Sequence, residues 1–467
     1  MPYKKYHGRN SNYRWGIICL LAIALLPLSS TITQASSYYW RVSSGDWSDV
    51  VNWGGIAPTS GNVAYIQNGG TATITQTGEQ CYSLFLGNTE NSGTIQMTGG
   101  SLSVSYISYY GFSGMGTFTQ TGGINSISSN LYLGCLSGSS GTYDLGSTGQ
   151  LNASSECLGI MGTGTFMQTG GTNSIINDLL LGDNSGSSGT YNLSGTGQLS
   201  ASTEYIGDFG TGTFTQTGGT NTISRNLYIG YDSGSSGTYN LSGGALILKS
   251  LRQGSGTATF NFGGGTLQTS GDFTCSFPMT LTGDGGNANI DTAGYAVTLS
   301  GVLSGDGGLN KLGSGTLTIS NTATYGGDTT VDGGMLCFAS GIGPGGTSLI
   351  DVESGTAVLK TVSVSKSDLD IYTATSAIFE AADGTHTVGD ITGIGTTQVD
   401  SGVSLTAASI SQGTLIIGSG ATVTIQAITA GSTTDNAIVD VPEPSTLILL
   451  AATILMLAYS RARKWGK

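Results

Sequence analysis

The stretch that decides the fold is GTFTQTGGTNTISRNLYIGYDSGSS, residues 212–236. It holds three short runs of β-branched or aromatic residues, TFTQT, NTIS and NLYIG, which glycine, serine and asparagine separate. Runs of this length bounded by turn formers are typical of strands, and none is long enough for a helix. Three strands and three turns in some two dozen residues predict one coil of a parallel β-helix.

The same pattern recurs along the chain. Gly-Thr followed by an apolar residue begins at positions 93, 116, 141, 164, 189, 212 and 237, so the spacings alternate between 23 and 25. From position 116 onward GTF alternates with GTY, which indicates duplication of a 48-residue, two-coil unit. We expect the coils to stack ~4.8 Å apart and so to bury their apolar residues. The repeat therefore predicts an all-β solenoid of about 17 coils, roughly 80 Å long.

Two columns of large residues follow from this register. From position 116 onward the third position of each copy is aromatic, and the residues there are Phe118, Tyr143, Phe166, Tyr191, Phe214 and Tyr239. We expect these rings to form an internal packing ladder; a strip that binds sugar rings is the alternative. A second column lies just before a recurrent glycine that we expect at positive φ; its residues are Tyr132, Cys157, Tyr205 and Tyr228, and the glycines are Gly134, Gly159, Gly207 and Gly230.

Composition and charge exclude several classes of protein. The chain has 78 glycines in 467 residues and 9% charged residues, which excludes helix-rich folds. Both ends are basic, whereas residues 36–440 hold 7 basic and 27 acidic residues, a net charge of about −20. Such a body repels polyanions, so we expect no nucleic-acid partner.

The N-terminus predicts a secretory signal peptide over residues 1–35. A cationic segment precedes an apolar run at 16–28, and Thr33-Gln34-Ala35 predicts cleavage after Ala35. A membrane-spanning helix is the alternative, but about 13 apolar residues reach only about 20 Å.

The C-terminus, residues 441–467, predicts a membrane anchor. Pro442, Glu443 and Pro444 precede an apolar run at 446–459, which we expect to be a transmembrane helix. Basic residues follow it and hold the end in the cytoplasm; they are Arg461, Arg463, Lys464 and Lys467. This order of motif, helix and tail resembles the PEP-CTERM sorting signal. The resemblance implies recognition by an exosortase, an inner-membrane-anchored precursor, and then a place at the cell surface or outside the cell.

Residues 291–440 differ in character from the regular repeats at 93–290. The stretch 297–336 resembles the autotransporter-associated β-strand repeat, which implies solenoid structure in a secreted surface protein. The matching residues are Gly308, Leu309, Lys311, Gly315, Thr316, Leu317, Thr318, Tyr325, Gly327, Thr329, Thr330 and Val331.

Residues 36–92 predict an N-terminal cap and the first coils. Trp40, Trp47 and Trp53 crowd into a short span, and we expect them to cover the open first coil. A carbohydrate-binding platform built from the same three indoles is the alternative.

Catalytic groups are scarce. Removal of the signal peptide leaves one histidine, His386, in a turn-like context, and five cysteines without a CxxC pair. We therefore expect no metal site, no cofactor and no enzymatic activity. The function predicted is a non-catalytic surface or biofilm-matrix solenoid associated with exopolysaccharide or other surface proteins; the alternative is a carbohydrate-binding or polysaccharide-degrading β-helix.

Overall fold

The chain winds into a parallel β-solenoid. The structure is a computed structural model that describes residues 35–88, 91–339, 346–426, 436–440 and 447–449, with the backbone alone for 360–363, 436–440 and 447–449. The described residues from Ser37 onward belong to one compact unit. They make about 16 turns, and the one helical element among them is a short 3-10 turn at Val50–Trp53. The predicted all-β solenoid is confirmed.

Each coil contributes strands to three parallel faces. The first face contains Ser44–Asp46, Thr71–Ile74, Gly93–Met97, Met115–Gln120, Ser140–Leu145, Thr163–Gln168, Ser188–Leu193, Thr257–Phe262, Met279–Leu281 and Leu303–Ser304. The second contains Glu79–Cys81, Ser101–Val104, Ile124–Ile127, Gln150–Ala153, Thr172–Ile175, Thr266–Thr269, Ala288–Asp291, Leu309–Leu312 and Asp370–Thr373. The third contains Ser37–Tyr39, Val63–Ile66, Ser83–Leu86, Ser108–Tyr110, Asn130–Leu133, Ser155–Leu158, Asp178–Leu181, Leu251–Gln253, Phe273–Cys275, Ala296–Leu299, Thr316–Ile319, Thr396–Val399 and Thr414–Ile417. Thr422–Gln426 extends the last coils. Longer strands run through the corners between faces; they are Gln198–Ile206, Thr211–Ile229, Ser236–Leu248, Thr329–Phe338, Leu349–Ser365, Ile378–Gly393 and Ser404–Ser411.

The regular repeats stack in the register that the spacing predicts. Gly93 pairs with Gly116, Gly116 with Gly141, and so on to Gly237, always in parallel. Strand residues alternate between the interior and the outside, because successive side chains of a strand point to opposite faces. Most of the buried apolar side chains form one hydrophobic cluster that extends from Trp40 to Val423.

The coils after about residue 291 are shorter than predicted. Along the third face, the successive partners of Thr316 are Met335, Thr356, Ile378 and Thr396, each closer in sequence to the last than in the regular repeats. Here the chain passes corners within continuous strands and needs fewer separate turn residues. The predicted coil length of some two dozen residues is therefore correct from Gly93 to Gly237 and wrong after residue 291. Shorter coils already appear between these two parts, where Gly237 pairs with Ala258 and Asn261 pairs with Thr280.

The C-terminal membrane helix is not supported. Leu447–Leu449, which lies within the expected helix, forms a strand antiparallel to Thr414–Ile417, and Asn436–Asp440 pairs antiparallel with Thr422–Gln426. An open sheet edge carries unpaired N–H and C=O groups, and these two strands bond to it. The other residues of the predicted helix lie outside the described ones, and among the described residues no helix is long and apolar enough to span a bilayer.

Candidate functional site: the faces of the solenoid

Most of the residues predicted for sorting lie outside the described part of the chain. These are Pro442, Glu443 and Pro444 together with the basic residues Arg461, Arg463, Lys464 and Lys467. Ala35, where cleavage is predicted, is the first residue that the structure describes, just ahead of the strand Ser37–Tyr39.

The three tryptophans of the N-terminal cap are buried. Trp47 is fully buried, and Trp40 and Trp53 each expose 3% of their surface. Trp53 meets the other two rings edge-on at centroid distances of 4.8 and 5.1 Å, and its indole N–H donates to the Trp47 carbonyl. Because sugar stacking needs an exposed ring face, this packing favours the cap over the glycan platform.

The first aromatic column is an internal ladder. All six of its rings are fully buried on the first face. Neighbouring rings stack almost parallel, with centroids 4.6 to 5.0 Å apart from Phe118 to Tyr239. Since each ring covers the face of the next, none presents a surface to a sugar, and the internal packing interpretation is confirmed.

Polar groups bond the buried tyrosines across coils. The Tyr143 hydroxyl donates to Gln120 Oε1 at 2.5 Å and accepts from Asn125 Nδ2 at 3.1 Å. The same arrangement recurs in the next two two-coil units, as Tyr191 with Gln168 and Asn173 and as Tyr239 with Gln216 and Asn221. The alternation of GTF and GTY copies therefore has a physical basis: each phenol needs amide partners from the coil before it.

Two glutamates join this network inside the core. Glu156 and Glu204 are fully buried on the third face, where leucines occupy the same position in the coils on either side. Asn173 Nδ2 donates to Glu156 Oε2, and Asn221 Nδ2 donates to Glu204 Oε2, each at 3.1 Å. Burial raises the pKa of each carboxyl to about 8, and the amide hydrogen bond lowers it by a smaller amount.

Sequence reasoning missed these glutamates. Their signal is visible in the sequence, because Glu156 and Glu204 stand one two-coil unit apart at a position that is leucine at 131, 179 and 227. In the first two-coil unit the equivalent position is Ser108, which is also buried.

The second aromatic column lies on the outer side of the third face. Tyr39, Tyr65, Phe85, Tyr109 and Tyr132 stack with centroids 4.7 to 5.2 Å apart. Cys157, Leu180 and Tyr205 continue the column as a small cluster separate from the main core. The recurrent glycines beside it have positive φ, between 60° and 74°, as predicted. Stacked rings again present mainly their edges to solvent.

A column of threonines, which we call the Thr column, runs along the outside of the first face. Eight successive coils place threonine there in register, and all eight are half-buried; they are Thr94, Thr117, Thr142, Thr165, Thr190, Thr213, Thr238 and Thr259. The outward position two residues further along each strand carries a single charge in these eight coils, Asp144. This face is neutral and rich in hydroxyl groups, unlike the acidic body as a whole.

Candidate catalytic groups are enclosed. His386 lies within the strand Ile378–Gly393 and is fully buried. The turn expected in the stretch 383–387 is a corner at Gly384, two residues before the histidine, where φ is 80°. Its Nε2 lies 2.6 Å from the Asp383 carbonyl oxygen, and burial lowers its pKa. The five described cysteines are buried and form no disulfide with one another. Within the described residues no group of three or more His, Cys, Asp or Glu side chains is placed to hold a metal.

Part of the chain is similar to a known adhesin. Over 82 residues, 17% of this chain, the sequence is 39% identical to the BmaC autotransporter adhesin of Brucella suis biovar 1 (strain 1330). The chain spans about 2% of that adhesin's length. No family model matches the chain, and no solved structure matches it significantly. The similarity supports autotransporter-like repeats, whereas the PEP-CTERM resemblance stays a prediction.

Proposed function

We propose that this protein is a non-catalytic, adhesin-like structural solenoid, exported to the cell surface or the extracellular matrix. The observation that carries the proposal is the continuous main hydrophobic cluster, which extends from Trp40 to Val423. A catalytic group must be within reach of its substrate, and here the one described imidazole, His386, is buried inside the core. The similarity to an adhesin supports a surface role, and the net negative charge of the body keeps copies apart.

Deletion of a two-coil unit tests the structural role. Removal of residues 164–211 leaves Ser140–Leu145 next to a GTF copy, as it is in the intact chain, so we expect a shorter but folded protein with unchanged surface display. Removal of residues 164–188 alone is the matched control; it places Tyr143 against Tyr191 without the intervening coil and destabilises the fold. Turnover of any polysaccharide by the purified full-length protein, lost on changing one carboxylate pair, would contradict the proposal.

We further propose that an exosortase processes the C-terminus in the membrane, and that the body then associates with exopolysaccharide or other surface proteins. The order of Pro442-Glu443-Pro444, apolar run and basic tail supports this. Changing Pro442 and Glu443 to alanine should retain the full-length mass in the membrane fraction. If the variant instead has the same cell-associated mass and the same surface display as the wild type, the sorting proposal is refuted.

Binding of an uncharged glycan is the second candidate, and the Thr column favours it. Its regularly spaced hydroxyls lie on a nearly charge-free face, and hydroxyl groups donate to and accept from sugars. A glycan array with the wild type and with Thr165→Asp/Thr190→Asp tests it: glycan binding by the wild type that the variant loses would support this candidate. Binding retained by the variant would place the glycan elsewhere.

A further inference from the structure

Glu156 and Glu204 are carboxyl groups in the interior without a cation to pair with. Leu131 and Leu179 lie beside Glu156 in the register, and Leu179 and Leu227 lie beside Glu204. The titratable groups that interact with Glu156 are the phenols of Tyr110, Tyr143 and Tyr191; those that interact with Glu204 are the phenols of Tyr191 and Tyr239. Among the described residues no lysine, arginine or histidine contributes to either carboxyl.

Each carboxyl has one oxygen that nothing satisfies. Asn173 and Asn221 bond to the Oε2 atoms, while Glu156 Oε1 and Glu204 Oε1 are buried and have no hydrogen-bond partner. A neutral carboxylic acid tolerates this environment, whereas an ionised one does not, because an unpaired buried charge costs several kcal/mol. The adjacent Asn173 Oδ1 and Asn221 Oδ1 are also unpaired. Both are hydrogen-bond acceptors, and only the protonated carboxyl has a hydrogen to donate to an acceptor.

We propose that Glu156 and Glu204 are a proton-dependent lock in the middle of the solenoid: the coils that carry them stay closed while both carboxyls are protonated and open locally when either is ionised. In a solenoid each coil contacts only its neighbours, so the strands around the two glutamates can open while distant coils stay folded. This goes beyond the proposed structural role, because it gives the solenoid a defined place at which alkali loosens it.

The sign of the effect follows from linkage. The folded pKa is raised from the ordinary value of 4.5 to about 8. The folded state therefore holds a proton that the open state releases, so the stability is complete below pH 4.5 and is lost as the pH rises towards 8. For one glutamate the opening constant rises about tenfold per pH unit within this window.

Hydrogen exchange of the full-length protein between pH 5 and 9 tests the lock. After correction for the intrinsic exchange rate, we expect protection of Ser155–Leu158 and of residues 203–206 to fall about tenfold per pH unit up to about pH 8, with little change in Thr316–Ile319. The isosteric variant Glu156→Gln/Glu204→Gln should abolish this dependence, and Glu353→Gln, which changes an exposed carboxyl, should keep it. A pH-independent wild type, or the same dependence in the double glutamine variant, overturns the proposal.

Infrared spectroscopy gives a second readout that does not require the variant to be stable. The wild type at pH 7 should show the C=O band of protonated carboxylic acids, and the double glutamine variant should lose it. Absence of that band from the wild type at pH 7 contradicts the lock directly.

Discussion

The regular repeats at 93–290 and the coils at 291–426 have the same three-faced architecture but satisfy their buried polar groups differently. In the regular repeats tyrosine, glutamine, asparagine and glutamate bond to one another across coils. In the later coils Lys311 Nζ donates to the carbonyls of Leu312, Gly313 and Gly333 at 2.7 to 2.9 Å. For Lys311 the backbone is the partner, so no second coil must carry a matching side chain; the buried pair Thr373 and Gln412, bonded through their side chains, is an exception in these coils.

This difference explains the two kinds of sequence. Between Gly93 and Gly237, a side-chain network that spans two coils imposes a two-coil period, and the lengths of successive coils alternate strictly. A polar group that bonds to nearby carbonyls imposes no such period, and the length of the later coils varies from one coil to the next. The following predictions test this comparison.

The largest expected effect is the loss of a ladder ring. Phe166 stacks between Tyr143 and Tyr191, whereas the equally buried Phe379 in the later coils pairs with Ala357 and Thr397. Phe166→Ala should lower the free energy of unfolding by about 3–5 kcal/mol, and Phe379→Ala by about 0.5–1.5 kcal/mol less because no stacking is lost. Urea titration monitored by segment-resolved hydrogen exchange measures both. A larger cost at Phe379 would contradict the role of the ladder.

Removal of one amide from the network comes next. Asn173→Ala leaves the Tyr191 hydroxyl and the Glu156 carboxyl short of a donor, which should cost about 1–3 kcal/mol of unfolding free energy. Replacing Asn173 by Leu together with Tyr191→Phe, Gln168→Leu and Glu156→Leu copies the apolar residues of the alternate coils. The phenol, the amides and the carboxyl are then all removed together, and only the Gly171 and Gln198 carbonyls lose the Gln168 side-chain donor. We therefore expect the fourfold variant to be more stable than Asn173→Ala in the same urea titration. A less stable fourfold variant would show that the network stabilises the fold more than its apolar replacement does.

The later coils should depend on Lys311 in a similar way. Lys311→Met removes the lysine donor from three carbonyls, of which the Leu312 carbonyl keeps donors from Thr292. We expect a loss of about 1–3 kcal/mol of unfolding free energy, confined to the coils after 291. Lys366→Met is the matched control, since it removes only an ion pair with the exposed Asp368, and solvent-exposed ion pairs contribute little to stability. Equal effects in thermal unfolding would refute the role of the carbonyl contacts.

The smallest effect is the pH dependence of the later coils, and its sign is opposite to that of the central ones. Burial holds the pKa of His386 below its ordinary value of 6.5. The unfolded chain therefore binds a proton that the folded chain does not, so the later coils should lose stability as the pH falls below about 6.5. Unfolding midpoints of the later coils alone, read by segment-resolved hydrogen exchange at pH 5 and 7, should differ in the wild type and agree in His386→Gln; equal midpoints for these coils in the wild type would contradict this.

The sequence predicts the repeat better than the chemistry inside it. Spacing alone places Phe118 and Tyr143 in one buried ladder and the glycine corners at positive φ, because both follow from strand periodicity. Burial of Glu156 does not follow from local pattern, since a charged residue in a strand normally faces solvent and only the stacked leucines reveal its direction. The burial of His386 was missed because the sequence shows the corner at Gly384 and does not show that the chain returns to the core two residues later.

A set of spin-label distances tests the central claim, the parallel in-register stacking of coils, most directly. One label is attached at Thr117→Cys and a second at Thr213→Cys, Thr238→Cys or Thr259→Cys. The five described native cysteines are buried. The structure places the two labels four, five and six coils apart in these three pairs. Double electron–electron resonance should then give distances between the labels that follow the backbone separations of about 19, 24 and 29 Å, increasing by ~4.8 Å per coil. Distances that do not increase in equal steps, or that shorten along the series, would contradict the solenoid.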